Sequence, residues 1–279
     1  MMTRAPVLFV SHGAPTVALE GGAFAAALAG FAASVGKPSA VLAVSAHWTT
    51  PWEIGITSAA RHRLIYDFSG FPAELYRIEW PAPGAPDVAA RAAALVEAAG
   101  FRARLDPVRG LDHGAWVPLR LAFPEADVPV AELALPEVAP EMLLRLGAAL
   151  APLRDEGVLL VASGGLLHNL RLVRLLDEST PPDAWASEFD AWASARIASL
   201  DVDALTRWRE EAPHAERAAP SPEHLDPLFV ALGARTPGDR VETIHDEIRH
   251  GNLGMRSFAL RAAGPPAGSH TKARKEQSP

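Results

Sequence analysis

Short apolar runs rich in valine, leucine and alanine recur along this chain: PVLFVS (6–11), SAVLAVSA (39–46) and GVLLVAS (157–163). They lack the polar alternation of a half-exposed strand. A strand that is apolar on both faces must be covered on both, as happens in sheets whose crossover helices pack on either side. The intervening segments have helical punctuation. Gly22–Ser34 reads as a helix ended by Gly36 and Pro38, and Pro86–Ala99 has proline in its first turn and Gly100 just past its end. Further strands are expected at Glu53–Ser58, Val128–Leu133 and near Ser257–Leu260, and further helices at Pro140–Leu153 and Pro182–Leu200. The stripe Trp185, Phe189, Trp192 and Leu200 in the last of these reads as core packing. The alternation predicts an α/β fold: a single domain with a central mostly parallel or mixed β-sheet flanked by helices. Its ligand site is expected at the carboxyl ends of the strands. The domain is expected to span residues 1–263, and the polar, basic, Pro/Gly-rich stretch 264–279 is expected to be a disordered tail.

Composition removes several classes of function. A net charge of −7 with only 26 Lys and Arg leaves no electrostatic footprint for nucleic acid or an anionic membrane, so a small organic partner is expected. The chain has no cysteine, which excludes disulfides, thiolate zinc sites, iron–sulfur clusters and cysteine nucleophiles. Any metal must be held by nitrogen and oxygen. No secretory signal pattern and no apolar run of about 18 residues is seen, and a cytoplasmic location is expected.

The chemistry then rests on the histidines. His12 follows PVLFVS, His47 follows SAVLAVSA, His168 comes shortly after GVLLVASGG, and His113 lies in what reads as a loop, GLDHGAW (110–116). In an open α/β sheet these positions share the edge beyond the strand ends, so separate strands deliver imidazoles to one place. His62, His214, His245 and His250 follow no strong strand and read as surface or capping residues, while His270 falls in the tail. A catalytic divalent metal needs about three protein ligands with open positions left for substrate, and imidazole is its commonest nitrogen ligand. His12 and His47 supply two. For the third, PSPEHLDPLFVALGA (220–234) offers Glu223 and His224 in what reads as the first turn of a helix. The carboxylate would give the two-histidine, one-carboxylate face of non-haem Fe(II) oxygenases, and the imidazole a more positive centre. Both stay open at this point. A zinc hydrolase can use the same imidazoles, with Asp112 as the candidate base, and a structural zinc site would be closed by a fourth ligand. Ser11, Ser45 and Asp112 adjoin the histidines and are candidates for orienting their rings.

Six blocks in order, "FVSHGAPTVAL" (9–19), "VSAHWTT" (44–50), "GLDHGAWVPL" (110–119), "ASGGLLHNL" (162–170), "PEHLDPLFVALGA" (222–234) and "GNLGMRSFAL" (251–260), span nearly the whole chain. They resemble the successive motifs of the class III extradiol ring-cleavage dioxygenases (LigB-like), and within them the 4,5-DOPA dioxygenase branch. The resemblance implies that His12, His47 and His224 are the metal ligands, with histidine rather than Glu223 in third place. It implies that His168 is the acid/base residue and that His113 lines the substrate and oxygen pocket. The implied reaction is opening of a catechol ring, DOPA-like, with incorporation of both atoms of O2. The implied cofactor is one divalent metal, with Fe(II) needed for activity and Zn(II) equally acceptable to the ligands. A tetrapyrrole metal chelatase shares a strand ending in His-Gly, which accounts for the first block alone. The chain departs from the branch at Ala219–Pro220, where a His-Pro pair is common, and at Gly164–Leu167, which suggests a more apolar wall. Aromatic residues between 48 and 76 are candidates for a lid or for an interface in an oligomer.

Overall fold

The computed structural model describes residues 4–174 and 180–262. The expected tail, with His270, lies outside them. The strands in chain order are β1 (Val7–Ser11), β2 (Ala40–Thr50), β3 (Glu53–Thr57), β4 (Arg102–Asp106), β5 (Val130–Pro136), β6 (Val158–Gly164), β7 (Asp239–His245), β8 (Ile248–Arg249), β9 (Leu253–Gly254) and β10 (Ser257–Ala262). The longer helices are α1 (Ala23–Val35), α2 (Pro86–Ala98), α3 (His113–Ala122), α4 (Pro140–Leu150) and α5 (Ala184–Ala198). Four short ones follow, α6 (Val202–Thr206), α7 (Trp208–Glu211), α8 (Ala215–Ala218) and α9 (Pro227–Gly233).

One mixed sheet of eight strands, in the order β4-β3-β5-β2-β6-β1-β10-β7, carries the molecule, and β8 and β9 form a separate small hairpin. Its centre, β5-β2-β6-β1, is parallel, whereas β3 meets β5 antiparallel, as β10 meets both β1 and β7. The apolar runs sit at this centre because both of their faces are covered. Val7, Phe9, Leu42 and Val44 point into one core with Ala89, Leu143, Phe189 and Phe229, while Leu8, Val10, Val41 and Ala43 point into the other with Phe24, Leu28 and Trp116. Each strand thus feeds two cores with alternate residues. The expected α/β fold is present as a single domain with helices on both faces.

The small hairpin β8–β9 and two strands of the main sheet, β4 and β7, are not among the expected elements, and β4 and β7 are the two edges of that sheet. Edge strands carry charge against unwanted pairing, and RARLD and DRVETIH look polar for that reason. The helix expected over Pro140–Leu153 ends at Leu150 and passes into a 3₁₀ turn, Ala151–Arg154. In that turn the fully buried Arg154 donates to both oxygens of Asp239, at 2.6 and 3.1 Å, and to the carbonyls of Ala5 and Ala234. It ties the entry to β1 to the start of β7. No described helix is long and apolar enough to cross a membrane.

Candidate metal centre

The carboxyl ends of the central strands are in register, with Ser45 of β2 opposite Ser163 of β6, and Ser11 of β1 opposite Gly164 of β6. His12 is the first residue beyond β1, and its backbone N–H donates to the Gly164 carbonyl at 3.1 Å. His47 differs from expectation: it lies inside β2, which continues to Thr50 through a register shift between Ser45 and Thr49. Such an irregularity re-aims a side chain at a sheet edge.

His113 corrects the sequence reading more sharply. It begins α3 rather than lying in a loop, because Asp112 caps the helix and its carboxylate accepts the Ala115 N–H at 3.2 Å. Gly114 and Pro118 disguised that helix in the sequence. A Cβ on Gly114 would lie 2.4 Å from Ser45 Oγ and 2.9 Å from His47 Cδ2, so only glycine lets the first turn of α3 approach β2 this closely. His224 also moves, since α9 starts at Pro227 and His224 precedes it in a turn. Its carbonyl accepts the Gly165 N–H at 2.7 Å, and a Cβ on Gly164 would lie 2.1 Å from that same oxygen. His168 is drawn alongside because its N–H donates to the Ala218 carbonyl at 2.9 Å.

The five imidazoles meet at this edge. Ring centroids of His12 lie 4.9 Å from His47, 5.5 Å from His113 and 5.4 Å from His224, and those of His47 lie 4.0 Å from His113 and 4.9 Å from His224. His168 stacks on His224 at 3.4 Å with the planes 10° apart. Among the described residues two sets offer ligand atoms within 4.8 Å of one another: His12, His47 and His113, and His168, Glu223 and His224.

Hydrogen bonds decide which nitrogen of His12, His113 and His224 is free. Ser163 spends its only proton on the Gly114 carbonyl at 2.5 Å, so it can only accept from His12 Nδ1, 2.9 Å away. Asp67 Oδ1 accepts from His113 at both the backbone N–H, 3.0 Å, and ring Nδ1, 2.9 Å, and its Oδ2 lies 3.6 Å from His47 Nδ1. Glu223 Oε1 faces His224 Nδ1 at 3.3 Å. Hydrogen bonds thus put the protons of His12, His113 and His224 on Nδ1, and the nearby Asp67 charge favours the same for His47, so the Nε2 atoms carry the lone pairs. His12 Nε2 and His47 Nε2 then face each other at 3.1 Å, and His224 Nε2 is buried without a hydrogen-bond partner among the described residues. Facing lone pairs repel unless a cation lies between them. Two ligands bonded to one metal at about 2.0–2.1 Å stand roughly 3–3.4 Å apart, so the arrangement suits a divalent ion.

Burial, reinforced by the neighbouring imidazoles, lowers His12 far below the usual histidine range and takes His47 and His168 to about 3. These rings are neutral at pH 7, the state that binds metals. Glu223 is held down to about 2, first of all by the hydrogen bond from His224. Behind the site, Asp112 and Glu132 are fully buried beside Arg109, which lies over the Trp48 ring at 4.3 Å. Burial, and then the Asp112 charge, pushes Glu132 well above the carboxylate range. The Asp112 carboxylate is already engaged as the α3 cap and by Ser45 and Arg109.

Of the residues expected to orient the rings, Ser45 does so indirectly, accepting the His47 N–H and donating to Asp112. Ser11 does not; it donates to the Arg256 carbonyl. Ser163 and Asp67 hold the rings instead, and neither was singled out in the sequence. Leu166 and Leu167 belong to the core and are not an open apolar wall, and Ala219 is buried with them. Within 48–76, Trp48 is buried, Trp52 is 71% exposed, and Phe68 packs edge-on to His113 at 5.5 Å.

The family described as the catalytic LigB subunit of aromatic ring-opening dioxygenase matches residues 6–260. A 4,5-DOPA dioxygenase extradiol of Beta vulgaris is 37% identical over 255 residues, 90% of this chain and 94% of that protein. One of Portulaca grandiflora is 38% identical over 257 residues, 90% of this chain and 93% of that protein. A crystal structure of the uncharacterized protein JW3007 from Escherichia coli K12 aligns with a TM-score of 0.79 at 30% identity, covering 92% of this chain and 100% of that one.

Proposed function

The chain belongs to the LigB family of aromatic ring-opening dioxygenases, and from that premise we propose that His12, His47 and His224 hold one divalent metal, beside which His168 and His113 act on a catechol. The activity is that of a non-haem extradiol dioxygenase. Two observations support the ligand assignment: His12 Nε2 and His47 Nε2 face each other at 3.1 Å, and His224, its ring centroid 5.4 and 4.9 Å from theirs, has Nε2 buried without a hydrogen-bond partner among the described residues. When bound there, the metal supplies Lewis acidity and open positions for both reactants and, as Fe(II), the redox capacity that Zn(II) lacks.

The protein's own contribution is orientation and proton handling. His168, neutral at pH 7 in the metal-free chain and so free to accept, takes a proton from a catechol hydroxyl once the catecholate charge is beside it and returns it as the ring opens. His113 keeps its Nδ1 proton on Asp67 and turns Nε2 toward the bound reactants. Phe68, edge-on to His113, gives a flat aromatic ring an apolar surface to lie against. The relatives named for DOPA support a DOPA-like catechol as substrate.

The test is anaerobic reconstitution with Fe(II), addition of a catechol panel that includes DOPA, and then admission of O2. Stoichiometric oxygen uptake with a yellow ring-opened product is expected. If no catechol consumes oxygen while the chain still binds metal, the substrate reading falls.

A further inference from the structure

Asp67 faces both His47 and His113, and it comes from a segment that lies between β3 and α2 and carries no ligand itself. Its Oδ1 accepts two hydrogen bonds from His113, and its Oδ2 lies 3.6 Å from Nδ1 of His47. The segment has anchors besides Asp67: the Tyr66 hydroxyl donates to the Ile78 carbonyl at 2.6 Å, and the Tyr66 ring packs at 5.9 Å from Trp116 of α3. The carboxylate is therefore held by its segment as well and presented to the two rings.

Resting on the ligand assignment above, we propose that Asp67 is a positioning residue that sets the tautomer of His47 and His113 together, and so tunes metal affinity and proton handling through one group. An acceptor-only carboxylate keeps both protons on Nδ1 and leaves both Nε2 lone pairs facing the centre. An amide of the same shape cannot do this. In Asp67→Asn, if the amide oxygen stays on His113, the NH2 group meets the Nδ1–H of His47, donor against donor. His47 escapes only by moving its proton to Nε2, where it blocks the metal. If the amide turns over, the NH2 group faces two donors of His113 instead.

The experiment compares wild type, Asp67→Asn and Asp67→Glu in Co(II) and Zn(II) affinity by chelator competition, and in histidine ring tautomers by ¹⁵N NMR of the zinc-loaded proteins. Urea unfolding of the metal-free forms accompanies it. Asp67→Asn is expected to fold with an unchanged midpoint, bind both metals 10–100-fold more weakly and show altered His47 or His113 nitrogen shifts, with Asp67→Glu recovering part of the affinity. Wild-type affinity and shifts in Asp67→Asn overturn the proposal. So does an affinity loss in Asp67→Asn that merely follows a fall in the urea midpoint while the tautomers stay as in wild type. Failure of the wild type itself to bind metal would fault the ligand assignment, a result distinct from both.

Discussion

The hydroxyl of Ser163 has a single proton, and giving it to Gly114 obliges it to accept at His12. Ser163→Ala is expected to free the His12 ring and weaken Zn(II) binding about tenfold in chelator competition. Leaving the Gly114 carbonyl unsatisfied should lower the urea midpoint by the equivalent of ~1–3 kcal/mol. Unchanged affinity would mean that packing alone orients the ring. His12, His47 and His168 were legible because each follows an apolar run, and His113 and His224 through the motifs that surround them. Ser163 and Asp67 were not, because a serine 151 positions from His12, and an aspartate 46 positions from His113, become their partners only through folding.

Elements place those residues, and two of them are open to direct test. Gly114→Ala drives a methyl group against Ser45 Oγ and the His47 ring, so α3 must back away from β2. A loss of about 1–3 kcal/mol in stability is expected by chemical denaturation, together with weaker metal binding. A variant with wild-type stability and affinity would show that α3 is free to shift. Far from the site, Arg154→Ala leaves the Asp239 carboxylate buried without its partner and should cost roughly 3–5 kcal/mol. Its metal affinity in the folded state should stay at the wild-type value, which separates scaffold from site; a loss there would tie the two together. The strands that deliver the site were the readable ones, since burial on both faces writes itself into composition. β4 and β7 were hidden by the charge that edges require, and α3 by the glycine that its close approach to β2 demands.

At the scale of the whole molecule, the imidazoles crowded at one sheet edge couple stability to pH. His47 and His168 bind protons only near pH 3 when folded but near 6.5 when unfolded. As pH falls from 6.5 toward 3, the unfolded chain takes up protons that the folded chain refuses, so metal-free stability falls by about 1.4 kcal/mol per pH unit for each ring. Asp226, raised to about 7 by burial, and Glu132, raised likewise, oppose the rings over the same range. Urea midpoints of the metal-free chain should therefore fall between pH 6 and 4 in the wild type and fall less in His168→Ala; identical profiles would show that the ring is not held neutral by the fold. The sheet gathers five imidazoles, and the proposed centre commits three of them, His12, His47 and His224, to one metal. The direct measurement is Zn(II) stoichiometry and affinity for the wild type and for His12→Ala, His47→Ala, His224→Ala and His113→Ala. One ion per chain is expected, with affinity lost at least a hundredfold in the first three variants and retained within a few-fold in His113→Ala. Loss of binding in His113→Ala with retention in His224→Ala would put the metal among His12, His47 and His113 and contradict the assignment.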